Sequence, residues 1–198
     1  MQRYLSPSKY IDFENIEILS IADTFARRAT SEKSLVQMCF EFVRDEIRHS
    51  SDFRLNPVTC KASDVLRHRT GYCYAKSHLL AAILRANSIP TGLCYQRLSV
   101  GDSGAPYCLH GLNAVYLEEI GWYRIDARGN RTGIKAEFLP PNEKLAFPIK
   151  EPEERDLPEI WPEPLPVIVE TLERYATYDQ VLANLPDVPL VAAIQPNL

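Results

Sequence analysis

The sequence has no long apolar run and no basic cluster, and each absence excludes a class of protein. A transmembrane helix needs about 18 or more consecutive apolar residues, and no such stretch is present. The 22 Lys and Arg residues against 26 Asp and Glu residues give a net charge of −4. Without a basic stripe, neither nucleic acid nor an anionic membrane is an expected partner. Residues 1–10 also lack the apolar core of a secretory signal peptide.

The number and spacing of the cysteines do not suit a disulfide framework. The five cysteines are odd in number and unevenly spaced, so at least one thiol is unpaired and a reducing cytoplasm is the expected location. No Asp-x-Asp-x-Asp-Gly loop of the calcium-binding type is present, and we expect neither a metal nor a cofactor. The cysteines are Cys39, Cys60, Cys73, Cys94 and Cys108.

The order of predicted elements indicates an α+β domain. Helical spacing of apolar residues covers 12–29 and continues from about 31 to 48, and a short helix is expected at 61–66, capped by Ser63 or Asp64. Three strands follow, at 91–99, 110–117 and 122–127, the last two forming a hairpin. Helices followed by consecutive antiparallel strands favour α+β over a parallel βαβ sheet. We expect residues 1–138 to form one domain.

The last third of the chain is predicted to be an extension, residues 139–198. Its first part, 139–166, is rich in proline and glutamate and should be irregular or extended. Residues 167–185 return to helical spacing and predict one docked helix, because a disordered tail would not need Ile160, Trp161 and an apolar stripe. A further edge strand is one interpretation of residues 186–193. The loop at 100–107 and this extension are candidates for the walls of a cleft.

One cysteine lies where a loop is predicted to become a helix. Gly71 precedes it, residues 76–86 form an apolar helical run, and Pro90 lies beyond the helix end. Cys73 would therefore sit at a helix N-terminus, where unpaired backbone N–H groups favour a thiolate. The alternative is a small buried core residue, which is the common role of a free cysteine and the one we expect of Cys39.

The predicted hairpin supplies the other two groups that thiol acyl transfer needs. These are a histidine to exchange the proton and a carboxylate to orient the imidazole. His110 starts one strand and Asp126 ends the next, so an antiparallel pair brings them together. They share a face of the sheet only if the connection has an odd number of residues or a bulge. The sequence thus predicts a three- or five-residue turn, or a bulge, between Leu117 and Trp122.

The remaining histidines are weaker candidates. His49 and His68 lie near polar loops and should be surface or hydrogen-bonded residues, and His78 lies about 140° around the helix from Cys73. Cys94, Cys108 and His110 could be imagined as zinc ligands, but no second pair completes a four-ligand set. Each triad candidate also has a purely structural alternative. His110 could be a histidine at the end of a strand that hydrogen-bonds the backbone, and Asp126 could form a surface salt bridge.

Taken together, these motifs resemble the core of the transglutaminase-like superfamily, in a small bacterial-type form. The resemblance rests on Gly-Tyr-Cys-Tyr-Ala-Lys-Ser-His around Cys73, on His110 before a strand, and on Gly-Trp-Tyr-Arg-Ile-Asp ending at Asp126. It implies a papain-like fold with the nucleophile helix packed on an antiparallel sheet, and a Cys73, His110 and Asp126 triad. The backbone N–H of Cys73 would contribute to an oxyanion hole. Possible side-chain donors to that hole are Tyr72, Tyr74 and Gln96.

The sequence departs from the family at two places. An aromatic residue commonly follows the histidine within two positions, whereas Gly111 and Leu112 follow here, and Ala127 replaces the usual proline after the aspartate. We expect a cysteine-nucleophile enzyme that acts on amide or peptide carbonyls through a thioester, either as a transglutaminase-like acyltransferase or as an amidase or protease. A catalytically silent module that binds proteins is the alternative.

Overall fold

The computed structural model describes residues 1–101 and 104–189, and a buried helix lies at its centre. N-terminal helices pack against one side of this helix, and an antiparallel sheet packs against the other. This is the α+β arrangement that the sequence predicts. The helices are α1 (Ile16–Arg28), α2 (Glu32–Glu41), α3 (Ser50–Phe53), α4 (Ala62–His68), α5 (Cys73–Ala86), α6 (Pro166–Arg174) and α7 (Tyr178–Leu182).

The main sheet has four strands in the order β5-β4-β3-β8, and all its pairs are antiparallel. Two small pairs accompany it: β1 with β2 in parallel, and the hairpin β6–β7. The first main-sheet strand begins at Thr91 and ends at Ser99, as the sequence predicts. The strands are β1 (Arg48–His49), β2 (Thr70–Gly71), β3 (Thr91–Ser99), β4 (Tyr107–Leu117), β5 (Gly121–Ile125), β6 (Glu137–Leu139), β7 (Asn142–Lys144) and β8 (Arg155–Asp156).

Helix α5 buries polar as well as apolar side chains. Its residues from Cys73 to Arg85 are all buried. The Lys76 ammonium donates to the main-chain carbonyls of Ile47 and Arg44, which lie at the end of the α2 region. The Arg85 guanidinium donates to the carbonyls of Ser6, Thr91 and Pro162. Because buried charge is tolerated only when it is hydrogen-bonded, these two side chains fix the loops around the helix.

The start of α5 lies unusually close to β4. A side chain added at Gly111 would place its Cβ 3.0 to 3.2 Å from the ring and main chain of Tyr74. The Tyr74 hydroxyl also donates to the Leu109 carbonyl, so the helix end is held on this strand. Glycine therefore permits a close approach that the usual larger side chains would prevent.

The hairpin turn confirms the parity prediction. Leu117 pairs with Gly121, so the connection has three residues, 118–120. Gly121 has a φ of 84°, the left-handed conformation that follows the turn of a three-residue hairpin. His110 and Asp126 consequently lie on the same face of the sheet.

The boundaries of the N-terminal helices differ from the predicted ones. Helix α1 begins at Ile16, because the Asn15 side chain caps it by accepting the Glu17 N–H at 2.9 Å. Asp12 lies outside the helix and accepts the main-chain N–H of Ser63 at 3.0 Å, at the start of α4. The predicted cap from Ser63 or Asp64 is wrong, since a carboxylate distant in sequence supplies the acceptor. Helix α2 ends at Glu41, where a π-helical turn, Phe42–Glu46, follows.

The extension contains two helices where the sequence predicts one. The break lies between α6 and α7, where the Gln180 side chain accepts the main-chain N–H groups of Ala176 and Thr177 at 3.1 and 3.3 Å and so starts a new helix. The predicted strand at 186–193 runs past residue 189, and residues 102 and 103 of the predicted loop also lie outside the described residues.

The predicted boundary at residue 138 stays a prediction. The β6–β7 hairpin crosses it, and the Tyr123 hydroxyl of β5 donates to the Asn142 carbonyl at 3.0 Å. Among the described residues, no helix has the length and apolar character that crossing a membrane requires.

We expect the unprotonated state of His78 to make stability depend on pH. Burial lowers the pKa of His78 to about 4, while its hydrogen bond to the Cys60 carbonyl and the charge of Arg85 make smaller contributions. Below its ordinary value of 6.5, the unfolded chain binds a proton that the folded chain excludes, so stability falls as pH falls toward 4. His78→Asn should reduce this slope by up to about 1.4 kcal/mol per pH unit.

The measurement is urea unfolding of both proteins at several pH values between 4 and 6.5. The amide introduced by His78→Asn can still donate to the Cys60 carbonyl but does not titrate. His68→Asn, at an exposed position, is the matched control. An unchanged slope in His78→Asn would contradict this account.

We expect Gly111→Ala to destabilise the protein because the new methyl group must push β4 away from α5. Overpacking of this kind costs about 1 to 3 kcal/mol. Urea unfolding measures the loss. Gly101→Ala is the control, since its Cβ would meet nothing within 4 Å. Equal stabilities for the two variants would show that the close approach is not required.

Candidate active site

Cys73 is the first residue of α5, as the sequence predicts. Tyr72 is the N-cap, so the Cys73 N–H belongs to the first turn, whose donors have no partner within the helix. The residue is 7% exposed and its side chain lines a cleft. The N–H of Gly111 donates to the Cys73 sulfur at 3.5 Å, which connects the strand edge directly to the thiol.

His110 lies between Cys73 and Asp126. Its Nε2 is 2.8 Å from Asp126 Oδ2, and it lines the same cleft as Cys73, whose negative charge contributes to raising the pKa of His110. The ring of Phe147 packs edge-on against the imidazole, with centroids 4.9 Å apart. Burial disfavours the charged imidazole, but the charges and hydrogen bonds of Asp126 and Cys73 outweigh it and raise the pKa of His110.

Asp126 is a fully enclosed carboxylate with several donors. Its Oδ2 accepts the Ala146 N–H at 3.0 Å in addition to His110, and its Oδ1 accepts the Arg128 N–H at 3.1 Å. Burial alone would raise the pKa of Asp126, but the charge of His110 and these hydrogen bonds lower it. The carboxylate is therefore ionised, and Asp126 and His110 stabilise each other's charged form. The structure thus brings together all three residues that the sequence nominates.

The three side chains suggested as oxyanion donors are engaged elsewhere. The Tyr72 hydroxyl donates to the Tyr178 carbonyl, and that of Tyr74 to the Leu109 carbonyl. The Gln96 amide donates both hydrogens, to the Phe147 carbonyl and to Asp156 Oδ1, at 3.2 and 3.0 Å. None of them has a free donor at the thiol. These suggestions are wrong, because tertiary contacts that a local pattern does not show use the donors.

Sequence reasoning missed one histidine of the cleft. His49 is 6% exposed and lies beside Cys73, because β1 pairs with β2 and places His49 opposite Gly71. Its Nδ1 is 3.3 Å from the Ser51 hydroxyl. Burial, assisted by the charges of Arg128 and Lys76, lowers the pKa of His49 well below its ordinary value. A neutral His49 therefore forms part of the wall. Two-residue strands carry no periodicity, so no signal predicted this position.

The cleft has a volume of about 480 Å³, and both predicted walls contribute to it. An ion pair, Arg128 with Asp52 at 2.7 and 3.0 Å, lies at one side. The loop after β3 contributes Val100 and Gly101, and the extension contributes further residues. Among the described residues, no group of three or more His, Cys, Asp or Glu side chains is placed to hold a metal ion. The lining residues from the extension are Phe147, Pro148, Lys150, Glu154, Leu182 and Leu185.

Three of the other four thiols, Cys39, Cys60 and Cys94, are buried, and Cys108 is half-buried. Burial raises the pKa of each to about 12, so they are protonated at neutral pH. Cys39 is wholly buried in the core, as expected. Cys94 belongs to a separate small cluster with Leu112 and Ala114. No metal-like grouping of Cys94 with His110 exists among the described residues.

Comparison with known structures relates this fold to others. A candidate cysteine protease from Cytophaga hutchinsonii aligns with a TM-score of 0.52 and 22% identity, over 63% of this chain and 40% of that one. The periplasmic domain of TgpA from Pseudomonas aeruginosa aligns with a TM-score of 0.49 and 20% identity, over 64% of this chain and 46% of that one. This chain thus spans less than half the length of either. No curated protein matches the sequence.

The sequence match to a protein family is stronger evidence of family membership than these structural alignments. Residues 19–127, more than half of the chain, match the family described as the transglutaminase-like superfamily. The matched range begins in α1 and ends just after Asp126, so it includes the nucleophile helix and the hairpin. By this match and by its fold, the chain belongs to the transglutaminase-like superfamily.

Proposed function

We propose that this protein is a thiol enzyme that attacks an amide or peptide carbonyl with Cys73 and forms a thioester. The observation that carries the proposal is the His110 ring, which is hydrogen-bonded to the buried Asp126 carboxylate and lines the same cleft as Cys73. A chain of thiol, imidazole and carboxylate is the arrangement that activates a cysteine nucleophile.

Asp126 determines which imidazole nitrogen serves the sulfur. Because Nε2 carries the proton donated to Asp126, the other nitrogen, Nδ1, is left for the thiol. Proton transfer from Cys73 to Nδ1 gives a thiolate and an imidazolium, and the raised pKa of His110 favours this ion pair. The Gly111 N–H, pointing at the sulfur, also stabilises negative charge there.

Acyl transfer would then take place in two steps. The thiolate adds to the carbonyl carbon, and the C–N bond breaks as His110 protonates the departing amine. Water or a primary amine next attacks the thioester, His110 accepts its proton, and the Cys73 sulfur leaves. The Cys73 N–H is the proposed oxyanion donor, and one such donor is worth about 3 to 4 kcal/mol of transition-state stabilisation.

One observation favours a second candidate, a silent binding module. Cys73 is only 7% exposed, and residues of the extension line the cleft in front of it. A member that had lost its chemistry could keep the cleft for binding proteins. Thiol reactivity and turnover distinguish the two candidates.

We expect iodoacetamide to modify Cys73 of the native protein before any other cysteine. The reagent reacts with thiolates, and burial keeps the other four thiols protonated. Peptide mass mapping after short labelling at neutral pH identifies the modified residue. His110→Gln should slow the labelling by about tenfold or more, because the ion pair is lost. If Cys73 reacts no faster than Cys39, the enzymatic proposal fails.

We expect turnover on glutamine-containing peptides or casein, and Cys73→Ala should abolish it. His110→Gln should reduce it by about 10²- to 10⁴-fold, the usual contribution of general acid–base catalysis. Ammonia release and peptide cleavage are measured with and without a primary amine, so that incorporation indicates transfer and its absence indicates hydrolysis. Cys60→Ala, which removes a protonated thiol outside the cleft lining, is the control that should retain activity. An inactive wild-type protein would favour the binding module.

A further inference from the structure

Part of the extension crosses the cleft and is fastened on both sides; we call residues 178–187 the cover segment. On the helix side, the Tyr178 N–H donates to Asn56 Oδ1 at 2.8 Å. The Tyr178 carbonyl accepts the hydroxyl of Tyr72, the residue directly before Cys73. Helix α7 therefore starts against the same loop that presents the thiol.

On the sheet side, the cover segment is held by one main-chain bond and one ion pair. The Leu109 N–H donates to the Pro186 carbonyl at 2.7 Å. The Arg97 guanidinium donates to both oxygens of Asp187, each at 2.7 Å. Between the two anchoring points, Leu182 and Leu185 line the cleft.

The main-chain bond lies on a strand edge that no other strand of the described residues occupies, although the Leu109 carbonyl there accepts the Tyr74 hydroxyl. Strand β5 pairs with β4 only along Asn113–Leu117, so residues 107–112 have a strand neighbour on the β3 side alone. Alternate N–H groups of a strand point to the same edge. On this edge, the Leu109 N–H donates to the Pro186 carbonyl and the Gly111 N–H donates to the Cys73 sulfur. Two residues of strand separate these donors by about 7 Å.

We propose that the edge of β4 at Leu109 is the place where the main chain of an extended peptide substrate binds, and that the cover segment occupies this place until such a peptide displaces it. The proposal rests on the proposed function, because it identifies the substrate of the same cleft. Adding a strand to an open edge is a common way of binding extended peptides, since main-chain hydrogen bonds supply affinity and side-chain pockets supply selectivity.

The chemistry of the cover segment suits a segment that occupies the β4 edge only temporarily. Proline has no main-chain N–H, so Pro186 can accept a hydrogen bond from this edge but cannot return one. The Leu109 N–H that holds the Pro186 carbonyl lies about 7 Å along the strand from the Gly111 N–H that donates to the Cys73 sulfur. This separation keeps the carbonyl away from attack by the thiolate. A substrate with an ordinary residue in place of Pro186 adds a main-chain N–H, which would share the Leu109 carbonyl with the Tyr74 hydroxyl. Leu182 and Leu185 indicate that its side chains near the thiol should be apolar.

The ion pair gives a direct test in the full-length protein. Asp187→Asn keeps the shape of the side chain but removes the charge that holds Arg97. If Cys73 is reached by opening of the cover segment, losing this pair should speed its labelling by iodoacetamide about fivefold, the upper range for an exposed ion pair. Asp23→Asn, which breaks the Arg27 pair on α1, is the matched control and should leave the rate unchanged. An unchanged rate in Asp187→Asn would overturn the proposal.

A binding experiment tests the edge without any chemistry. The probe is a fluorescent peptide with the sequence of residues 182–189, Leu-Ala-Asn-Leu-Pro-Asp-Val-Pro. We expect it to bind the Cys73→Ala, Asp187→Asn double variant about fivefold more tightly than Cys73→Ala alone, because its own aspartate can take the vacated Arg97. A peptide with asparagine in place of that aspartate should lose this gain. Equal binding to both proteins would overturn the proposal.

The two experiments also separate this inference from the proposed function. If labelling and binding change as expected while no turnover occurs, the peptide-binding edge stands and the enzymatic proposal fails. If turnover occurs but neither labelling nor binding changes, the enzyme stands and the role of the cover segment is overturned.

Discussion

The ionised carboxylate of Asp126 is the group on which the arrangement of the site depends. It is completely enclosed, so its charge is tolerable only because His110 and two main-chain N–H groups compensate it. Those N–H groups belong to Arg128, beyond the hairpin, and to Ala146, in the extension. One carboxylate therefore joins the sheet, the loop after it and the extension, and it orients the imidazole at the same time. Removing the carboxylate group would leave several buried donors without an acceptor.

The elements that determine the site could be predicted because they depend on local rules. A helix that starts at Cys73 follows from an apolar run bounded by Gly71 and Pro90. The placement of His110 and Asp126 on one face follows from strand parity and a turn of odd length. The observed three-residue turn supports the second of these arguments. Such rules need no knowledge of distant contacts, which is why these features were accessible from the sequence.

The features that escaped prediction depend on residues far apart in the chain. His49 reaches the cleft through a two-residue parallel pair, and α4 is capped by Asp12 from another loop. The donors of Gln96 are used by residues more than fifty positions away. The break between α6 and α7 is local, but the apolar spacing continues across it and conceals the new cap. In each case the observed position or partner depends on a specific polar contact, which the periodicity of the sequence does not reveal.

The buried guanidinium of Arg85 connects three parts of the chain that are distant in sequence. It binds one carbonyl before α1, one in β3 and one in the proline-rich extension, and a Leu93–Trp161 bridge lies alongside. The first and last parts of the polypeptide are thus fastened to a single charge on the central helix. Proteolytic nicking in the proline-rich region would leave the two pieces associated, and they would come apart only when the whole domain melts. Four residues of the extension also belong to the hydrophobic core, namely Ala146, Ile168, Leu172 and Val181.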